Sequence, residues 1–267
     1  MHRASQIQTA RFANVVKRLE WMVSKGAQKV GYEVQRAPNF FDLSRERKYE
    51  PVRPMATYSP WNIDGPFQET YDQIKDHTLV DKYRCFELWQ LVEQSSKLPS
   101  GSLIEVGVWR GGTGALIAKQ AKRCGIRERA FLCDTFSGVV KATSRDSIYK
   151  GGEHGDASRL GVERFLSALE IEVGGILEGV FPDQTGRELE DRRFRFCHID
   201  VDTYDSAKDV FEWVWDRLVP GGIVVFDDYG FWSCDGVTAY VEEVSAAPDR
   251  LVLHNLNGHA VFVKIGL

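Results

Sequence analysis

Apolar positions along the chain follow two rhythms, a helical one in the first third and a strand–turn–helix alternation after it. Phe12, Val15, Val16, Leu19 and Met22 recur at helical spacing, which predicts a helix from residue 1 to about 35. Its apolar face is expected to pack on the protein itself or on a neighbouring subunit, with a membrane surface or another partner as the alternative. Residues 36 to about 66 are rich in Pro, Asn, Asp and aromatics without a period, and read as an irregular segment that covers something. From Phe67 the pattern turns helical again, with Cys85, Leu88, Trp89 and Val92 on one stripe, until Leu98-Pro99-Ser100-Gly101 breaks it.

Beyond that break, SLIEVGV (102–108), RAFLCDT (129–135), GGILEGV (174–180), RFRFCHID (193–200) and GIVVFDD (222–228) predict five short strands. Helices are predicted over 111–125, closed by Gly125, and over 204–219, stopped by Pro220-Gly221-Gly222. RLVLHNL and HAVFVKI flank Asn257-Gly258 and predict a terminal hairpin. Together these give an α/β fold: a doubly wound, mostly parallel, seven-stranded Rossmann-like sheet with a terminal antiparallel hairpin. Residues 1–77 read as an N-terminal helical and irregular extension, a cap or dimer contact, and 78–267 as the main domain, with a lid insertion at about 139–158.

Composition narrows the classes. The 267 residues are 43% hydrophobic and 27% charged, as in soluble globular proteins, and the formal net charge of −4 argues against a dedicated nucleic-acid binder. Five widely spaced cysteines without a CxxC pair argue against a zinc or disulfide framework and for a reducing, cytoplasmic setting. No secretory signal and no membrane span is expected.

The strongest motif is Glu105-Val106-Gly107-Val108-Trp109-Arg110-Gly111-Gly112-Thr113-Gly114, between a predicted strand and helix. Thr113 stands where a phosphate-binding P-loop needs Lys, and Trp109 occupies the second glycine of a dinucleotide fingerprint. What remains is ExGxxxG, with a strand-closing acid suited to a ligand bearing an α-ammonium group; a merely tight turn is the alternative. Such a loop is found in class I methyltransferases. Asp134 closes the next strand, well placed to accept hydrogen bonds from two ribose hydroxyls.

Two further strand ends are acidic, at Asp200-Val201-Asp202 and Asp227-Asp228. In a parallel sheet they lie side by side, and carboxylates that crowd together repel until a cation intervenes. An all-oxygen set of Asp200, Asp227 and Asp228 favours Mg²⁺, Mn²⁺ or Ca²⁺. Helix capping by Asp202 or Asp205 is the competing reading. His198 reads as a packed strand residue, and His154, in the glycine-rich lid, as either a solvent-exposed side chain or a substrate-facing one.

EVGVWRGGTG, FLCDTFSG, HIDVDTYDSA and VFDDYG together resemble the macrocin O-methyltransferase family, from roughly Thr78 to the C-terminus. The resemblance implies the class I methyltransferase fold, S-adenosylmethionine and Mg²⁺ (or Mn²⁺) as cofactors, and methylation of sugar hydroxyls on natural products. It implies that Glu105, Gly107, Trp109 and Thr113 line the methionine end of the cofactor, with Thr78 and Leu79, early in the preceding helix, meeting its carboxylate. Asp134 would hold the ribose, Phe136, Ser137 and Gly138 would lie near the adenine, and Phe181 would edge it. Asp200, Asp227 and Asp228 match the metal ligands and Asp202 a general base, while His154 is a second catalytic candidate. The expected partner is a small-molecule or glycosyl acceptor, and the chain is expected to form a homo-oligomer. Because Asp200-Val201-Asp202 is formally a DxD motif, a metal-dependent glycosyltransferase is the rival; a non-catalytic cofactor-binding scaffold is a third reading.

Overall fold

The computed structural model describes Val52 and residues 56–266; the helix expected over 1 to about 35 lies outside the described residues, as does most of the irregular segment after it. Seven strands form one sheet: β1 (Ser102–Val106), β2 (Ala130–Asp134), β3 (Gly175–Glu178), β4 (Phe194–Ile199), β5 (Leu218–Phe226), β6 (Arg250–Asn255) and β7 (His259–Lys264). Their order is β3-β2-β1-β4-β5-β7-β6, all parallel except β7, which runs antiparallel to both neighbours. The predicted doubly wound sheet and its terminal hairpin, turned at Gly258 with φ +104°, are both present. Among the described residues no helix is long and apolar enough to cross a membrane, and all five cysteines are free.

Helices cover both faces. On one lie α1 (Gly65–Ile74), α2 (Lys82–Ser95), α3 (Gly112–Arg123) and α4 (Arg159–Ala168); on the other lie α5 (Tyr204–Trp215) and α6 (Asp235–Val244). The stripe read from the sequence, Cys85, Leu88, Trp89 and Val92, is buried in α2 as expected. Each large side chain there contributes about 1.5–3 kcal/mol by leaving water. Phe67 and Ile74 of α1 are fully buried in the same cluster, so this part of the 1–77 segment builds the helical layer of the main fold.

The helical pattern from Phe67 is two helices rather than one. Asp81 ends the gap between them by accepting from the Tyr83 and Arg84 amides, an N-cap that starts α2 afresh. Thr78 and Leu79 therefore precede α2 instead of lying early in it. The gap also lets the His77 carbonyl accept from the Gly112 amide at 2.9 Å, which seats residues 77–79 against the glycine loop.

The second difference is at Pro220-Gly221-Gly222. The predicted helix over 204–219 stops at Trp215, and Leu218-Val219 already belong to β5. Between the pairs Phe194–Leu218 and Phe196–Ile223 the register shifts, with Gly221 at φ +78°. The turn residues thus form a bulge, where a proline can sit within a strand.

The segment over 139–158 is tied to the helices it crosses. Asp146, almost fully buried, accepts from the Tyr204 amide at 2.9 Å and so caps α5 from 58 residues away, since Thr203 makes no side-chain cap bond there. The Ser147 amide donates to Asp235 at the start of α6 at 3.0 Å. Asp146→Ala is expected to lower unfolding free energy by about 1–2 kcal/mol, as loss of a helix cap does; chemical denaturation showing no change would mean that α5 is capped by solvent instead.

Candidate active site

Strand ends β1, β2, β4 and β5 converge on one open cavity, as the parallel sheet requires. Thr78, Leu79, Gly107, Trp109, Thr113, Asp134, Gly138 and Phe181 line it, and so do His154, Asp200, Asp202, Asp227 and Asp228. Glu105, Phe136 and Ser137 do not. Phe136 packs at the edge of the core, and Ser137 is exposed.

Glu105 departs most from the sequence reading. It is fully buried, and its Oε1 lies 2.9 Å from His198 Nδ1, its register partner on β4. It therefore lies beneath the loop and does not line the cavity. Gly107, which lines the cavity, also has a role in the sheet. At φ +90°, a Cβ on it would stand 1.6 Å from the Asp200 carbonyl oxygen, so the glycine lets β1 and β4 leave the sheet side by side.

Asp134 stitches the two loops together. Its Oδ2 accepts from the Val108 and Trp109 amides at 2.6 and 2.8 Å, and its Oδ1 from the Phe136 amide at 2.6 Å. A carboxylate has about four acceptor positions, so one of Asp134's is left open.

Side-chain oxygens of Asp200, Asp227 and Asp228 lie within 4.8 Å of one another. Burial, and then the neighbouring carboxylates, push Asp200 and Asp228 above the usual range, Asp200 strongly so. Asp202 is raised well above it too, by burial and by Asp228, whose Oδ2 accepts the Asp202 amide at 2.8 Å. Asp202 has φ +64°, as Trp109 and His154 also sit at left-handed φ; such backbone is uncommon and clusters at functional sites.

Asp227 behaves oppositely. Burial opposes its charge, but Arg84 and two imidazoles overcome that and hold it below the carboxylate range. Arg84 Nη1 donates a short hydrogen bond to Oδ2, while Oδ1 faces His259 Nε2 at 2.8 Å and His198 Nε2 at 3.4 Å. His198 is raised to about 10 against burial by Asp227 and Glu105, and His259 is raised by Asp227 and Glu87. Glu105, His198, Asp227, His259 and Glu87 thus form a buried chain of alternating acid and imidazole that fixes one member of the aspartate trio. His198 is, as read from the sequence, a packed strand residue.

Arg84, His259, Tyr149 and Cys234 were not singled out by the sequence reading. Arg84 had a signal: four residues before Leu88, it falls on the buried stripe, and a buried guanidinium needs a buried anion. The other three are brought in by tertiary packing.

A seven-stranded class I sheet with this arrangement of acidic strand ends defines an O-methyltransferase. The chain belongs to the macrocin-O-methyltransferase (TylF) family, whose model matches residues 67–257. An 8-demethyl-8-(2,3-dimethoxy-alpha-L-rhamnosyl)-tetracenomycin-C 4'-O-methyltransferase of Streptomyces olivaceus is 31% identical over 177 residues, 61% of this chain and 67% of that one. A mycinamicin III 3''-O-methyltransferase of Micromonospora griseorubida is 30% identical over 59% of this chain and 67% of its own length. Among solved structures, the O-methyltransferase NovP superposes with a TM-score of 0.62 at 22% identity, over 71% of this chain and 83% of its own. Neither fold nor family supports the glycosyltransferase alternative.

Proposed function

We propose that this chain transfers a methyl group from S-adenosylmethionine to a sugar hydroxyl with the help of a divalent cation. The observation that carries this reading is the gathering of Asp200, Asp227 and Asp228 at one end of a cavity whose other walls are the glycine loop and Asp134. The names of both bacterial relatives specify O-methylation, one on a rhamnosyl-bearing substrate.

The donor set fits a hard cation. Three carboxylates supply oxygen only; crowding disfavours the charges of Asp200 and Asp228, which a cation would balance, while Asp227 is already held charged by Arg84 and the imidazoles. A bound Mg²⁺ or Mn²⁺ would polarise the acceptor hydroxyl as a Lewis acid, and S-adenosylmethionine would bring a methyl already activated on sulfur. The chain's own residues do the rest. Thr78, Leu79, Trp109 and Thr113 border the cofactor end, and Asp134 offers its remaining acceptor position to the ribose. Asp202, next to Asp228, takes the proton from the acceptor hydroxyl as the methyl moves. The lid excludes water from this step, and holding oxygen, methyl and sulfur in line supplies much of the acceleration.

Labelled S-adenosylmethionine incubated with mycinamicin III, rhamnosylated tetracenomycin and TDP-rhamnose tests the reading. Label is expected on a sugar oxygen of one acceptor, at least ~10-fold less in EDTA and restored by Mg²⁺. Transfer unchanged by EDTA would remove the metal from the mechanism. Stabilisation by nucleotide sugars but not by S-adenosylhomocysteine would revive the glycosyltransferase.

A further inference from the structure

We infer that Asp156 is a positioning residue for the methyl donor. It clasps Trp109 and Arg110, so that the glycine loop and the segment over 139–158 are joined at the rim of the cavity. The inference rests on the reading that Trp109 borders the S-adenosylmethionine site.

Asp156 spends both carboxylate oxygens on adjacent side chains of the glycine loop. Its Oδ1 accepts from the Trp109 indole Nε1 at 2.7 Å, and its Oδ2 from Arg110 Nη2 at 2.6 Å. The Arg110 guanidinium in turn lies 4.3 Å from the centre of the Trp109 ring. Trp109 is thereby held at both ends. Asp134 takes its backbone amide at 2.8 Å, and Asp156 takes its indole N–H. Such restraint matters here, because Trp109 sits at φ +47°, where a bulky side chain is rarely found. An indole has one donor and no acceptor. With that donor spent on Asp156, Trp109 offers the cavity it lines an apolar ring in a fixed orientation.

Asp156 is delivered from a defined place. Before it, the chain folds back on its own stem: the Gly152 amide donates to the Val139 carbonyl at 2.9 Å, and the Val139 amide to the Glu153 carbonyl at 2.8 Å. After it, Ser158 caps α4 by accepting from the Gly161 amide. That helix lies against the glycine loop, since a Cβ on Gly111 would stand 2.9 Å from Val162 Cγ1. His154, two residues before Asp156, lines the cavity as Trp109 does. The clasp therefore ties together two walls of the cavity. Its ion pair is exposed, with the Arg110 and Asp156 side chains 43% and 59% accessible, and an exposed pair adds little to folding. Its effect falls on how long the donor stays.

The test is S-adenosylhomocysteine binding to the full chain. Calorimetry gives the affinity, stopped-flow displacement the dissociation rate, and thermal unfolding of the unliganded protein the control. Asp156→Ala is expected to weaken affinity about 10-fold, the cost of losing a hydrogen bond to a charged group. The loss should lie mostly in faster dissociation, with the melting temperature unchanged. Trp109→Phe removes the indole donor, so Asp156→Ala should cost less in that background than in the wild type. Equal affinity in Asp156→Ala and wild type would overturn the inference. So would losses that add fully, or a melting temperature that falls together with the affinity. Failure of the underlying reading looks different: the wild-type chain would itself not bind S-adenosylhomocysteine, and the inference would fall with it.

Discussion

Asp202→Asn is expected to lower turnover by about 10²–10⁴-fold, the usual contribution of a general base, with affinity for S-adenosylhomocysteine retained, if Asp202 is the base proposed above. Asparagine suits the position for two reasons. The residue sits at φ +64°, and Asn tolerates left-handed backbone about as well as Asp. The bond tying it to Asp228 is donated by the backbone amide and survives the change. What is lost is the capacity to take a proton at the head of the cavity. Stopped-flow or discontinuous methyl-transfer assays give the rate, and calorimetry gives the affinity. Loss of cofactor affinity at near-normal turnover would assign Asp202 to binding.

Arg84→Met is expected to remove about 3–5 kcal/mol of stability, the range found when one member of a buried ion pair is deleted. The Arg84 and Asp227 side chains are only 9% and 4% exposed, so water cannot replace the guanidinium. Arg84 also spans to Asp81, with Nε 2.8 Å from Oδ2, and its guanidinium stacks over Phe231 at 4.7 Å. Arg84→Lys should recover less than half of the loss, because a single ammonium cannot bridge both carboxylates and stack as a plane does. Equilibrium denaturation reads both variants. A loss under about 1 kcal/mol, typical of an exposed pair, would show that the pair opens to solvent.

Much of this site was written in the local pattern. Each strand end that carries Asp134, Asp200 or Asp227-Asp228 follows an apolar run, and parallel topology then dictates that these ends meet. The terminal hairpin was legible because Asn257-Gly258 has one favoured turn. What was not legible depends on partners distant in sequence. Arg84 reaches Asp227 across 143 residues, and His259 reaches Glu87 across 172. Glu105 was given to the cofactor because an acid there suits an α-ammonium group and the family resemblance implies it; only the β1–β4 register reveals that His198 stands beside it. The misread helix end at 216–219 has a local cause. Leu218 and Val219 are apolar enough for either state, and the pairing of Leu218 with Phe194 decides for strand. Tyr149 sits in a lid segment without periodicity, so only the bonds made by Asp146 and Ser147 say where it goes.

The central claim is that three carboxylates hold one cation beside the methyl donor. A crystal grown with S-adenosylhomocysteine and Mn²⁺, recorded at the manganese absorption edge, addresses it directly. One anomalous peak is predicted, about 2.1 Å from oxygens of Asp200, Asp227 and Asp228. No peak there, with Asp200 turned away from Asp227 and Asp228, would contradict it.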